Sequence, residues 1–300
     1  MGLRPTRGLI SRTGIIPLGS TQDEAGPITR TVEDAAHFLD AVVGYDPSDP
    51  ITAFGLHRKP ESYAKGLSPE GLRGARIGLL LDVLGQDPIH TEVNAVVEEA
   101  VKKIEGAGAT VIRMRIPNLA DLTRDMALSS YEFKVAFDKY LAGVGEGAPV
   151  KSLEEFVARG EFHSSLREGV EAAVARTDGL HEEEYRSRVL RRHDLRQAIM
   201  VAMATDSLDA ILYPHQRRLV VPIGEEQLDR NGVLSNATGF PAITFQGGFS
   251  EPKPTAPVGI PVGIELLGPE WSEQRLLGMA YAFEQAARVR RPPTATPPLP

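Results

Sequence analysis

The chain has 300 residues, of which 42% are hydrophobic and 24% charged, and this composition indicates a folded globular protein rather than a disordered or collagen-like one. Its formal net charge of −7 argues against nucleic-acid binding through an overall basic field, and no local basic stripe replaces that field. The sequence contains no cysteine, which excludes disulfides, zinc–thiolate sites, iron–sulfur clusters and a thiol nucleophile, and permits the reducing cytoplasm in which we expect the protein.

The first 50 residues predict a short strand followed by a helix. Residues 9–18 are largely apolar but are interrupted by Gly14 and Pro17, which is typical of an edge or bulged strand. Thr31 can cap a helix, because apolar residues recur at helical spacing after it. Gly44 and the turn residues 46–50 then end that helix.

Residues 75–114 predict a strand, helix, strand unit. Residues 75–81 and 109–114 have the length and apolar content of buried strands, and residues 91–104 carry apolar side chains on one helical face. Two strands joined in this way are parallel neighbours in a sheet. The sequence therefore predicts an α/β fold.

The second half of the chain predicts a helical region and a return to strands. Charged residues and strong helix formers dominate residues 120–203, which indicates several helices and no strand. Strands are expected at 208–213, 241–245 and 261–266, and Ser272 can cap a last helix. The Pro-rich residues 289–300 predict an extended tail, and no apolar run has the roughly 20 residues that a membrane span needs.

The sequence contains no nucleophile elbow and no phosphate-binding loop. No two of the seven histidines have the i, i+4 spacing of a helical zinc site, so no metal and no cofactor are expected. His215 follows Tyr213 at the carboxyl end of a predicted strand, where open α/β sheets bind ligands. It is either a substrate-binding residue or a loop histidine hydrogen-bonded to the backbone.

Four arginines form a second cluster in the helical region, at positions 188, 191, 192 and 196. They could bind an anion. The glutamates at 182–184 favour the alternative, a solvated helix face whose charges pair with one another.

Two stretches carry a family resemblance. Residues 2–17 (GLRPTRGLISRTGIIP), with Asp23 and the TVEDAA run at 31–36, closely resemble the amidase signature family just downstream of its catalytic serine loop. TGFPAI at 238–243 and PVGIELLG at 261–268 resemble the late strands of the family. One departure is visible, because the family commonly has Pro, Ala, Gly where this chain has Gln246, Gly247, Gly248.

The resemblance implies an α/β/α sandwich with a mixed sheet, of which residues 1–300 form the carboxyl-terminal portion and the amino-terminal part is missing. Enzymes of this family hydrolyse amides, and sometimes esters, through a Lys, Ser, Ser triad and backbone amides that stabilise the oxyanion. All these groups lie upstream of the position equivalent to Gly2. The resemblance therefore implies a hydrolase of carbon–nitrogen bonds whose catalytic residues are not in this chain.

The same resemblance implies which residues surround a substrate. We expect Tyr213, His215 and Gln216 to contribute to the pocket, and Asp23 to support the serine loop. The partner would be a small-molecule amide, with no nucleic acid and no membrane involved.

Two hypotheses for the chain follow. The first is a truncated amidase that is inactive on its own, because it lacks nucleophile, base and oxyanion hole. The second is a non-catalytic amidase-like binding module, or a fragment that complements a separate amino-terminal chain. Uncovered strand edges and apolar surface would also favour self-association.

Overall fold

The computed structural model of the protein describes residues 1–292, in which one six-stranded mixed sheet is flanked by helices. The strands are β1 (Gly2–Arg4), β2 (Arg76–Leu80), β3 (Thr110–Met114), β4 (Ala210–Pro214), β5 (Ala242–Phe249) and β6 (Pro261–Leu267). The helices are α1 (Val32–Val42), α2 (Thr91–Gly106), α3 (Leu119–Leu122), α4 (Ser129–Val144), α5 (Leu153–Arg159), α6 (Arg167–Ala175), α7 (Glu183–Thr205), α8 (Val233–Thr238) and α9 (Glu273–Ala287). The predicted α/β class is confirmed.

The sheet has a parallel and an antiparallel part. Its strands are ordered β1-β5-β6-β4-β2-β3. β2 pairs in parallel with both β3 and β4, and α2 supplies the crossover that a parallel pair requires. β4, β6, β5 and β1 are successive antiparallel neighbours. The predicted strand, helix, strand unit therefore forms one end of a larger mixed sheet.

Two apolar layers enclose the sheet. On one face, Ile243, Ile264 and Leu79 belong to a buried cluster with residues of α1, α2 and α9. On the other face, Ile211 and Leu267 belong to a cluster with residues of α7 and α8. Side chains alternate between the faces of a strand, so each strand that is covered on both sides serves two cores. The architecture is an α/β/α sandwich.

Residues 119–205 carry five helices and no strand. Of these helices, α7 packs on the sheet core through Leu195, Ile199 and Met203. The shorter helices α4 to α6 enclose a small core of their own, which includes Phe137 and Leu153. This region therefore stands beside the sheet rather than extending it.

Local signals explain where the terminal helices begin. The extended Thr31 precedes α1, and its hydroxyl accepts a hydrogen bond from the backbone N–H of Asp34 at 3.1 Å, as predicted. The predicted cap of α9 is wrong in its mechanism. Ser272 precedes that helix, but its Oγ donates to the carbonyl of Pro269 at 2.7 Å and caps no helix N–H.

The strand predicted over residues 9–18 is also wrong, because the first strand is β1 and residues 9–18 are turns and bends. Gly14 adopts a φ of +82°, a conformation that ends strand geometry. Side chains hold this segment instead of a ladder: Arg12 forms a bidentate ion pair with Asp49, with distances of 2.7 and 2.9 Å. Of the predicted tail at 289–300, residues 293–300 lie outside the described residues.

Candidate functional site

A cavity of about 630 Å³ lies against the antiparallel end of the sheet. Its walls come from β1, β5 and β6 and from the loop of residues 24–28, and we call it the strand cavity. Its polar wall residues include Arg4, Glu24, His215, Ser235, Thr244 and Glu265. A cleft of this size with a few convergent polar groups is the usual form of a small-molecule site.

The registers of three strands bring Glu265 to the base of the cavity. Tyr213 of β4 pairs with Glu265 of β6, and Glu265 pairs in turn with Thr244 of β5. The Tyr213 hydroxyl donates to Oε1 of Glu265 at 2.6 Å, and the Thr244 hydroxyl donates to Oε2 at 2.8 Å. Glu265 is 2% exposed, so its carboxylate needs these donors in place of water.

His215 completes the coordination of that carboxylate. It follows β4 directly, and its Nδ1 lies 2.6 Å from Oε2 of Glu265. The hydrogen bond to Glu265 raises the pKa of His215 above its ordinary value against the opposing effect of burial. Burial opposes ionisation of Glu265, but its hydrogen bonds and the charge of His215 together hold its pKa below the ordinary value. The two groups therefore form an imidazolium–carboxylate pair.

The pairing fixes what His215 can offer a ligand. Because Nδ1–H donates to the carboxylate, Nε2–H is the ring donor that remains. The side chain of His215 is 40% exposed and lines the strand cavity, whereas Glu265 is buried beneath it. This arrangement can donate a hydrogen bond to a carbonyl or carboxylate oxygen inside the cavity.

A second charged pair stands across the same cavity. Arg4 donates from Nη1 to Oε2 of Glu24 at 2.9 Å, and the Glu24 side chain is only 2% exposed. Oε1 of Glu24 is buried without a hydrogen-bond partner among the residues described. Burial raises the pKa of Glu24 to about 7, against the lowering effect of Arg4. Glu24 therefore changes its charge close to neutral pH.

The predicted site residues take different places. Of the three pocket residues, only His215 lines the strand cavity. Tyr213 is fully buried and reaches the site through Glu265, while Gln216 forms an isolated β-bridge with Arg230 beyond the cavity wall. The His215 ring bonds a carboxylate, so the alternative of a backbone-bonded loop histidine is not what the structure shows.

Asp23 shapes the loop of residues 18–23. Its Oδ2 accepts the backbone N–H groups of Leu18 at 2.7 Å and Gly19 at 2.9 Å. Glu132 of α4 holds the same loop from the other side, because its Oε2 accepts the backbone N–H of Thr21 at 2.9 Å. Sequence reasoning missed Glu132, which is separated from Thr21 by 111 residues.

The arginines of α7 do not form the solvated face that the neighbouring glutamates favoured. Arg192 is 6% exposed, and its Nη2 donates to Oε1 of Gln22 at 3.2 Å and Oδ1 of Asn236 at 3.1 Å. The guanidinium of Arg196 lies 4.6 Å from the ring centroid of Phe240. The prediction failed because α7 packs on the 18–23 loop and on α8, contacts that no local pattern in the sequence indicates.

Metal-binding clusters and membrane spans are both missing from the described part of the chain. Within residues 1–292, no group of three or more His, Asp or Glu side chains is arranged to hold a metal ion. Among the helices of the same residues, none combines the length and the apolar character that crossing a bilayer requires.

The sandwich, the mixed sheet and the polar cavity at its antiparallel end define an α/β protein with a small-molecule cleft. The family model described as Amidase matches residues 1–277. The chain belongs to the amidase family, as the motifs at its two ends predicted.

Individual relatives agree with this assignment. A probable amidase of Arabidopsis thaliana is 32% identical over 307 residues, which cover 98% of this chain and 54% of the relative. The amidase-like subunit of glutamyl-tRNA(Gln) amidotransferase from Caldanaerobacter subterraneus is 30% identical over 319 residues, covering 98% of this chain and 61% of the relative. The structure of native peptide amidase from Stenotrophomonas maltophilia superposes with a TM-score of 0.79 at 34% identity, covering 97% of this chain and 59% of that one. The chain thus spans between about half and three fifths of the length of these proteins.

Proposed function

We propose that the protein acts in the hydrolysis of carbon–nitrogen bonds in small-molecule amides, and that residues 1–300 supply the sheet and one wall of the substrate pocket. The family membership over residues 1–277 supports the reaction class. The observation that carries the pocket assignment is the His215–Glu265 pair at the strand cavity.

In this proposal the amide oxygen of the substrate accepts a hydrogen bond from Nε2–H of His215. Glu265 is a positioning residue, because it fixes the ring and its charge without lining more than the base of the cavity. Tyr213 and Thr244 position Glu265 in turn. A donor that is oriented before the substrate arrives loses less entropy on binding than a freely rotating one.

The nucleophile, its base and the oxyanion hole are proposed to come from outside residues 1–300. Asp23 then has a structural part, since it fixes the 18–23 loop through two backbone N–H groups. On this account residues 1–300 alone do not turn over an amide. Oriented reacting groups supply most of the acceleration in acyl transfer, and a pocket wall without them retains binding only.

The test is a pair of assays. Purified residues 1–300 are assayed on a simple primary amide and an aryl ester, and no turnover is expected. In the second assay, residues 1–277 replace the matched part of the Stenotrophomonas maltophilia peptide amidase, and the chimaera is expected to hydrolyse a peptide amide. His215→Gln in the chimaera should raise KM more than it lowers kcat. Turnover by residues 1–300 alone, or a folded but inactive chimaera, would contradict the proposal.

A second candidate is a non-catalytic module that pairs with a separate chain. It is favoured by the similarity of 98% of the chain to a protein that is itself named as one subunit of an amidotransferase. Size-exclusion chromatography with light scattering separates the two candidates. A stable, monomeric and cooperatively unfolding chain supports the module, whereas a chain that aggregates supports a part of a larger enzyme.

A further inference from the structure

A second cavity, of about 690 Å³, lies between α7, the 18–23 loop and the end of α8, and we call it the arginine cavity. It shares no lining residue with the strand cavity. Its lining includes the arginines Arg7, Arg186, Arg192 and Arg196. Four guanidinium groups around one cavity are unexpected in a chain whose formal net charge is −7.

The carboxylates near these arginines are already engaged. Glu270 lines the cavity, but its Oε1 pairs with Nη2 of Arg196 at 2.8 Å. Glu132 and Glu24 act on the charge of Arg192 from nearby without hydrogen-bonding to it. Glu132 accepts from Thr21 and Tyr185, and Glu24 accepts from Arg4. The cavity therefore keeps a surplus of positive charge.

Arg192 is the most informative of the four. It is 6% exposed, and within residues 1–292 its hydrogen-bond acceptors are the side-chain oxygen of Gln22 and the oxygens of Asn236, all neutral groups. Its Nε–H is buried and has no acceptor among the residues described. Burial lowers the pKa of this guanidinium, although Glu132 raises it. A buried cation with an unused donor is costly unless an anion accompanies it.

The remaining lining suits an organic ligand. Leu128, Val189 and Leu190 present apolar side chains to the cavity, and Leu190 is 67% exposed. The ring of Tyr185 lies in the same wall. Guanidinium groups match the geometry of a carboxylate through paired N–H donors, and the apolar side chains can cover the body of the ligand.

We propose that the arginine cavity binds a small organic carboxylate, which pairs with Arg192 and its arginine neighbours while its apolar part packs on α7. This is the anion-binding alternative that the arginine spacing left open, and it does not depend on the amide chemistry assigned to the strand cavity. The site is built from three separate segments of the chain, so it exists only in the folded protein.

The test uses residues 1–300 and benzoate as the probe. Isothermal titration calorimetry and thermal unfolding are measured at constant ionic strength, with potassium chloride replacing benzoate. Benzyl alcohol, an uncharged molecule of similar size, is titrated in parallel. Saturable benzoate binding with a rise in Tm, and no comparable effect of benzyl alcohol or chloride, is the expected result.

Two matched variants locate the binding. Arg186→Gln removes a cavity charge from an exposed residue whose side chain bonds the carbonyl of His181, so the fold is preserved. Arg191→Gln removes the same charge from the same helix outside the cavity. Benzoate affinity should fall about fivefold or more in Arg186→Gln and stay unchanged in Arg191→Gln. Equal losses in both variants, equal binding of benzyl alcohol, or no saturable binding would overturn the proposal.

Discussion

His215 and Glu265 lie 2.6 Å apart, Nδ1 to Oε2, although 50 residues separate them in the chain. The carboxylate is buried beneath the sheet surface, and the ring reaches the cavity. The pair is the point at which the packing of the sheet becomes the chemistry of the site.

Replacing Glu265 with Gln should destabilise the protein by about 2–3 kcal/mol at pH 6. Three donors converge on the carboxylate, and an amide offers one oxygen to them while its NH2 group faces a donor. Urea unfolding measures the loss, with the exposed Glu225→Gln as the control. A loss below about 0.5 kcal/mol, within the range of an ordinary surface substitution, would contradict the account of this carboxylate.

The stability that this pair contributes should depend on pH in both directions. The pKa of His215 is raised from 6.5, so its contribution is complete below pH 6.5 and is lost as pH rises through the folded-state value. The pKa of Glu265 is lowered from 4.5, so its contribution is complete above pH 4.5 and is lost as pH falls through the folded-state value. The effect of Glu265→Gln should be largest between these limits. A pH-independent effect from pH 4 to 9 would argue against an ionised pair.

Glu24→Gln should become more favourable to stability as pH rises. Burial raises the pKa of Glu24 from 4.5 to about 7, so the folded state binds the proton more tightly than the unfolded state does. Ionised Glu24 therefore costs stability progressively between pH 4.5 and 7, and Gln removes that cost. The difference in unfolding free energy between variant and parent is measured at pH 5 and pH 8. A difference that does not grow over this interval would contradict the assignment.

Asp23→Ala should free the 18–23 loop. Two backbone N–H groups, those of Leu18 and Gly19, lose their shared acceptor, and the loss of stability should be about 1 kcal/mol. Hydrogen exchange of these two amides should accelerate, while the exposed Asp194→Ala on α7 leaves them unchanged. Unaltered exchange in Asp23→Ala would show that the loop is held by other contacts.

Local patterns in the sequence predicted much of the fold. The strand, helix, strand unit over 75–114 was correct because its elements are long and periodic, and each is buried on the face that the pattern indicates. The segment 9–18 was not, because its apolar residues line a loop that the ion pair of Arg12 with Asp49 holds in place. Composition alone does not distinguish a buried loop from an edge strand.

The site was predictable only in part. His215 could be found from its position after a strand, but Glu265 lay inside a strand motif and gave no sign that its side chain turns toward His215. That relationship depends on the β4–β6 register, which pairs Tyr213 with Glu265. Arg192 illustrates the same limit, since its burial depends on Gln22 and Asn236, which lie far from it in sequence.

The central claim is that residues 1–300 form one wall of an amidase site and do not contain its nucleophile. Treatment of the purified chain with a fluorophosphonate probe, followed by intact-mass and peptide mass spectrometry, tests this claim directly. We predict an unmodified chain, while the Stenotrophomonas maltophilia peptide amidase treated in parallel gains one adduct. A stoichiometric adduct on any serine of residues 1–300, absent after heat denaturation, would contradict the account.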